Sequence, residues 1–273
     1  MIYLSYMKAH LTILGSGTCV SSFYKPFDYL APSAYLLQYN GKNYLFDCSE
    51  GVRARLDSVQ FDYFNLDYIF ITHFHPDHFN LDTLLQAIYV RSSYKPVKKT
   101  INIYGPKDIK ENLKIIWEIK HGKGLFDHLL QTVDLNFFEY EDNKPIVVEN
   151  NVKMTPFLVT HVKSLTCYAL QFKLDNKILT YSGDSGMCQD IKEASKNADI
   201  FISECNTLIE GKIVPWHLRV DEVAQIATDS NVKTVILTHL RGKNTESELV
   251  AAIKKSGFLG PVIVASDLKK IDF

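Results

Sequence analysis

Apolar residues recur along this chain in two rhythms, and each rhythm predicts a different kind of element. Short runs such as HLTILG (10–15), AYLLQYN (34–40) and KNYLFDC (42–48) are rich in β-branched, aromatic and leucine side chains and predict strands. Between the last two, Asn40-Gly41 predicts a hairpin turn, because that dipeptide tolerates the positive φ such turns need. SEGVRARLDS (49–58) predicts a short helix and DYIFITH (67–73) a buried strand. LDTLLQAIYVRSS (81–93) has helical spacing, TINIYG (100–105) predicts a strand, and PKDIKENLKIIWEIK (106–120) a helix that opens on proline. Strands follow over 135–140, 146–149, 152–160, 166–174 and 177–182. Alternation then returns: helix 187–196, strand 199–204, helix 219–230, strand 233–239, helix 245–255 and strand 261–266. Two β-rich halves, each flanked by helices, imply an α/β fold of two sheets packed face to face with helices outside.

The chain has 273 residues and is 46% hydrophobic, with no Pro- or Ser-rich linker, charge run or internal repeat. We therefore expect one domain over residues 1–273. A formal net charge of −1 argues against holding long nucleic acid by bulk charge. The segment MIYLSYMKAHLTILGSG lacks a basic n-region, a long apolar core and a small-residue cleavage site. No run approaches the ~18 apolar residues of a membrane span. Five cysteines without CxxC spacing fit reduced, mostly buried thiols. A cytoplasmic location without membrane contact is the expectation.

Chemistry concentrates in ITHFHPDHF (71–79), directly after an apolar strand. His161 ends MTPFLVTH, His239 ends TVILTH, and Asp184 sits in LTYSGDSG, each just past a strand. Strand ends bring distant segments to one rim of a sheet, where sites are assembled. His73 and His75 can address one metal with His161, while Asp77 and His78 address a second with His239. Asp184 then bridges the two through its two oxygens. This donor set suits Zn²⁺ first, with Mn²⁺ or Fe²⁺ as alternatives. Two ions ~3.5–4 Å apart hold a bridging water and make it a hydroxide nucleophile, so hydrolysis is the expected chemistry.

The order His73-x-His75-x-Asp77-His78, then His161, Asp184 and His239, resembles the metallo-β-lactamase superfamily across nearly the whole chain. The resemblance implies an αββα sandwich of two packed mixed β-sheets with outer helices. Asp184 stands where true β-lactamases place a cysteine, and Asp77 with Phe74 disfavours the flavodiiron redox branch. His217, in PWHLRVDEVAQIATDSNVKTVILTHL, resembles the histidine that precedes the same helix in ribonuclease Z-like phosphodiesterases. There it stabilises charge or protonates the leaving oxygen. We count Asp77 and His217 as the catalytic side chains.

Transfer-RNA-trimming members carry an arm rich in glycine and basic residues between the third and fourth motifs. Here only VKSLTCYALQFKLDNKILTYSG separates His161 from Asp184, enough for one hairpin. The helix after His217 also reads HLRVDEVA instead of the His-Glu-Ala-Thr pattern. A small phosphodiester, either a cyclic nucleotide or a short oligonucleotide, is the expected substrate. A ribonuclease Z-type RNA endonuclease is one alternative; a thioesterase or lactonase with the same metals is another. Gly15–Thr18 is read as a tight turn or a phosphate cradle, and Arg241 as a phosphate partner or a solvent-facing cation. HGKGLFDHLL (121–130) is read as a lid or a homodimer contact, and His10 as structural.

Overall fold

A computed structural model of the protein describes residues 9–20, 29–95, 99–206 and 214–273. Residues 1–8 of the N-terminal segment read above for a leader lie outside them. The first half runs β1 (His10–Gly15), β2 (Ala34–Tyr39), β3 (Lys42–Phe46), α1 (Val52–Ser58), β4 (Tyr68–Phe70), α2 (Leu81–Tyr94), β5 (Thr100–Gly105), α3 (Ile109–His121), α4 (Leu125–Thr132) and β6 (Asp134–Glu139). The second runs β7 (Ile146–Glu149), β8 (Val152–Val159), β9 (Cys167–Leu174), β10 (Lys177–Tyr181), α5 (Gln189–Ser195), β11 (Ile200–Glu204), α6 (Val220–Asp229), β12 (Thr234–Thr238), α7 (Glu246–Lys255) and β13 (Val262–Val264). A last strand, β14 (Lys270–Asp272), returns to the first half.

Two 7-stranded mixed sheets result, ordered β14-β1-β2-β3-β4-β5-β6 and β13-β12-β11-β10-β9-β8-β7. The expected αββα sandwich is therefore present. Aromatic side chains fill the space between the sheets: Phe46 stacks on Phe172 at 4.7 Å, and Phe70 meets Phe172 edge-on at 5.0 Å. Leu45, Ile69 and Ile103 face the other way, against α2 and α3 through Leu84, Leu113 and Trp117. Phe201, Val235 and Leu237 likewise meet Ala224, Ile226 and Leu249 on α6 and α7. Strands covered on both faces read as continuous apolar runs, which is why their pattern carries no alternation.

The pattern misread three features: Pro106 lies outside α3, which starts at Ile109 after Asp108, β14 was not expected, and residues 121–130 were not followed. Residues 121–130 are not a lid: they end α3 and form most of α4, whose Phe126 and Leu129 are buried in the outer core beside α2, α3 and β6. Two glycines interrupt its helical spacing, so the register could not be followed through them. Among the described residues, no helix is long and apolar enough to cross a membrane.

Candidate metal centre

Parallel pairing assembles the site. Phe46 pairs with Phe70, so Asp47 emerges beside the loop that follows β4. Thr72 donates its backbone N–H to Asp47 Oδ1 at 2.8 Å, and the loop then closes on itself through His78 N–H to the His75 carbonyl, 2.9 Å. In the second sheet β10, β11 and β12 are parallel neighbours, with Glu204 opposite Thr238. Their C-terminal ends deliver Asp184, Glu204 and His239 to one rim. His161, just past β8, completes the ring.

All seven expected ligand residues converge, in two groups. His73, His75, His161 and Asp184 form one; Asp77, His78 and His239 form the other. In the first, His73 Nε2 and His75 Nδ1 stand 3.1 Å apart, and His161 Nε2 lies 3.3 Å from His75 Nδ1. Asp184 Oδ2 is 3.9 Å from both His73 Nε2 and His161 Nε2. In the second, Asp184 Oδ1 is 3.2 Å from His78 Nε2 and 3.4 Å from His239 Nε2. Asp77 Oδ2 is 3.6 Å from His239 Nε2 and 4.0 Å from His78 Nε2. Ligands ~2.0–2.1 Å from one tetrahedral ion stand roughly 3.3–3.4 Å from each other, so both groups have the spacing of a coordination shell. Each oxygen of Asp184 addresses a different group.

Satisfied hydrogen bonds would argue against metal binding here, and three of the central atoms lack them. His78 Nε2, Asp184 Oδ1 and His239 Nε2 are buried without a hydrogen-bond partner. His78 Nδ1 donates to Asp47 Oδ2 at 2.6 Å and His161 Nδ1 to the Trp216 carbonyl at 2.8 Å, which turns each Nε2 towards the cluster. Burial opposes ionisation of Asp184, yet His239 and His78 outweigh it and hold the carboxyl well below the usual range. Burial also pushes the His73 imidazole down, towards its neutral, metal-binding form. Buried carboxylates need compensating charge, and divalent cations supply it. The residues fit the group.

Two partners escaped the sequence reading. Asp47, wholly buried and at φ 54°, orients His78 and also accepts from Tyr181 Oη at 2.7 Å. Glu204, wholly buried at the end of β11, lies 2.9–3.0 Å from His217 Nδ1 through both oxygens and accepts from Ser185 N–H at 2.6 Å. Burial, with Asp184 nearby, pushes the Glu204 carboxyl up, and burial pushes His217 down. The only signal for either acid was its place at the end of an apolar strand, YLFD and DIFISE. His217 itself falls within ligand distance of Asp184 and His239, but its Nδ1 is engaged by Glu204.

A cavity of about 490 Å³ opens at the cluster, lined by His75, His161 and His239 together with Cys19, Trp216, His217 and Arg241. Cys19, expected among the buried thiols, is exposed, and its backbone N–H donates to Asp77 Oδ2 at 2.9 Å. Cys48, Cys167 and Cys205 are buried as expected. Gly15–Thr18 is no phosphate cradle: the Ser16 N–H goes to Asp267 and the Gly17 N–H to the Ala31 carbonyl. His10 bonds Asp272 in a strand pair, His121 packs on Trp117, and His128 is exposed, all away from the site.

The profile of the family described as anti-Pycsar protein Apyc1 matches residues 9–262. The chain belongs to that family. Ribonuclease Z of Methanosarcina mazei is 26% identical to this Apyc1-family chain over 287 residues, 88% of the chain and 92% of the relative. The probable metallo-hydrolase YhfI of Bacillus subtilis is 28% identical over 239 residues, 84% and 86% of the two. The crystal structure of YhfI superposes at TM-score 0.79 and 24% identity, covering 97% of this chain and 100% of YhfI. A diphosphatase of the PhnP family superposes at TM-score 0.72 and 21% identity, covering 97% and 98%. The Apyc1-family chain is thus a ribonuclease Z-like member of the metallo-β-lactamase superfamily, and a metal-dependent hydrolase.

Proposed function

We propose that the protein is a cytoplasmic phosphodiesterase of small phosphodiesters, cyclic nucleotides or short oligonucleotides, acting as one domain over residues 1–273. Two divalent ions, zinc first and manganese or iron as alternatives, would be held by His73, His75 and His161 and by Asp77, His78 and His239, with Asp184 offering an oxygen to each group. When bound, such ions supply Lewis acidity and an activated water nucleophile. The observation that carries the reading is His217: it lines the same cavity as the ligand groups, and a buried carboxylate backs it at 2.9 Å.

With Nδ1 taken by Glu204, Nε2 is the ring atom left for substrate. A proton held there passes to the leaving oxygen as the P–O bond breaks, and Glu204 fixes the ring through Nδ1. Asp47 and the Trp216 carbonyl keep His78 and His161 in the tautomers that expose Nε2. A thiolate departs without a proton, so an acid at His217 favours a phosphodiester over a thioester.

The span between His161 and Asp184 folds as the β9–β10 hairpin, without length for an arm to grip folded RNA. That favours small substrates over the RNA endonuclease reading. The test is the purified, Zn²⁺- or Mn²⁺-loaded protein assayed on bis-p-nitrophenyl phosphate, cyclic nucleotides, a transfer-RNA precursor, a thioester and a lactone. Cleavage of the phosphodiesters is expected. Turnover of the thioester or lactone with no phosphodiester cleavage would overturn the reading.

A further inference from the structure

Trp216 is the feature of the cavity that the chemistry above leaves unused. The chain has two tryptophans. Trp117 is 1% exposed in the outer core, whereas Trp216 is 44% exposed and lines the cavity beside His217. Single exposed apolar residues are common and need no explanation. Trp216 differs in how its backbone is held. Its carbonyl accepts the hydrogen bond from His161 Nδ1 at 2.8 Å. On its other side the chain lies directly on Gly186, where an added Cβ would stand 2.0 Å from the Pro215 carbonyl oxygen and 3.3 Å from Trp216 Cα. The next residue, His217, is fixed by Glu204. A flat apolar ring is thus carried on a backbone anchored to the histidine cluster itself, with a large part of its surface left uncovered.

The rest of the rim is consistent with one kind of ligand. Among the described lining residues, Trp216 is the sole aromatic besides the histidines, and Arg241 the sole guanidinium or ammonium. Arg241 is half-buried, two residues beyond His239, and lines the same cavity as His217, Asp184 and Cys19. The cavity volume, about 490 Å³, is of the size that encloses a small ligand.

We infer that Trp216 is the base platform of this site: the nucleobase of the substrate stacks on the indole while Arg241 pairs with a phosphate oxygen held over the histidine cluster. The inference rests on the phosphodiesterase reading and deepens it. Stacking reads the π-face that every base has, so the platform separates nucleotides from base-free phosphodiesters while discriminating little among bases. Arg241 supplies charge-assisted hydrogen bonds to phosphate whatever the base.

The test compares wild type, Trp216→Ala and Trp216→Phe, each Zn²⁺-loaded, on 3′,5′-cyclic AMP and on methyl ribofuranoside 3′,5′-cyclic phosphate, in which a methoxy group replaces the base. In Trp216→Ala, KM for the nucleotide is expected to rise about 5- to 150-fold more than KM for the base-free diester, the span given by one lost base–aromatic stack. Trp216→Phe should recover most of the difference. A second readout needs no turnover: 5′-AMP should quench the fluorescence of wild type and not of Trp216→Ala, and ribose 5-phosphate should quench neither. Equal KM changes on both diesters, or no quenching by 5′-AMP, would overturn the platform and leave the phosphodiesterase reading standing. A wild type that cleaves neither diester but turns over a thioester or lactone would overturn both.

Discussion

Asp47 and His78 share a fully buried 2.6 Å hydrogen bond across 31 residues of sequence. The bond fixes the proton on His78 Nδ1 and turns Nε2 towards Asp184. Asp47 is itself held by Thr72 and by Tyr181 from the opposite sheet, so one carboxylate ties the histidine loop to both halves of the fold.

Asp47→Asn should therefore weaken metal binding without removing a ligand. An amide in place of the carboxylate is a poorer acceptor, and the loss expected for such an outer partner is about 10–100-fold in affinity. Competition with a chromophoric chelator measures it. Unchanged Zn²⁺ affinity would show that His78 is oriented by packing alone.

Metal content tests the bridge. Zn²⁺-loaded protein should hold about two ions per chain by elemental analysis, and Asp184→Ala should lose metal and nearly all activity, since both groups use that carboxylate. Chelation should also lower Tm, because it leaves buried carboxylates without compensating charge. One tightly held ion together with an active mutant would exclude the dinuclear site.

His217→Ala should leave metal content nearly unchanged and lower kcat by roughly 10²–10⁴-fold, the span for one acid–base group. A nitrophenyl ester should suffer less, because its leaving group departs without a proton. Glu204→Gln should act in the same direction by a smaller factor. If His217→Ala strips a metal instead, His217 is a ligand and the acid must be sought elsewhere.

Gly183 joins the two halves at Asp184. It has φ 55°, and a Cβ there would lie 2.8 Å from the Tyr168 carbonyl oxygen and 3.0 Å from Thr72 Cβ. Gly183→Ala should cost about 1–3 kcal/mol in urea unfolding, from the left-handed backbone and the clash together. A loss below about 0.5 kcal/mol, the level of an ordinary surface change, would mean that the contact relaxes freely.

Transfer-RNA precursors should be cut far less efficiently than small phosphodiesters. Folded RNA needs several spread phosphate contacts, and the chain has 30 basic against 31 acidic side chains. Site-specific trimming at the 3′ end, with kcat/KM matching that on cyclic nucleotides, would refute this.

The order of the candidate ligands was legible in the sequence because each of these follows its own apolar strand: His73 after DYIFIT, His161 after MTPFLVT, Asp184 after ILTYSG and His239 after TVILT. A strand's C-terminal end is a local property, visible in a few residues, so the elements and the residues at their tips could be named without coordinates. Hairpins such as Tyr39-Asn40-Gly41-Lys42 were legible for the same reason. What the tertiary structure decided was which tips meet. Glu204 backs His217 because β11 lies parallel between β10 and β12 with Glu204 beside Thr238, and Asp47 reaches His78 because β3 pairs with β4 at Phe46 and Phe70. Neither acid differs, in its local sequence, from a carboxylate that merely ends a strand in solvent. Register and sheet packing depend on contacts between residues far apart in the chain, and no local periodicity encodes those contacts.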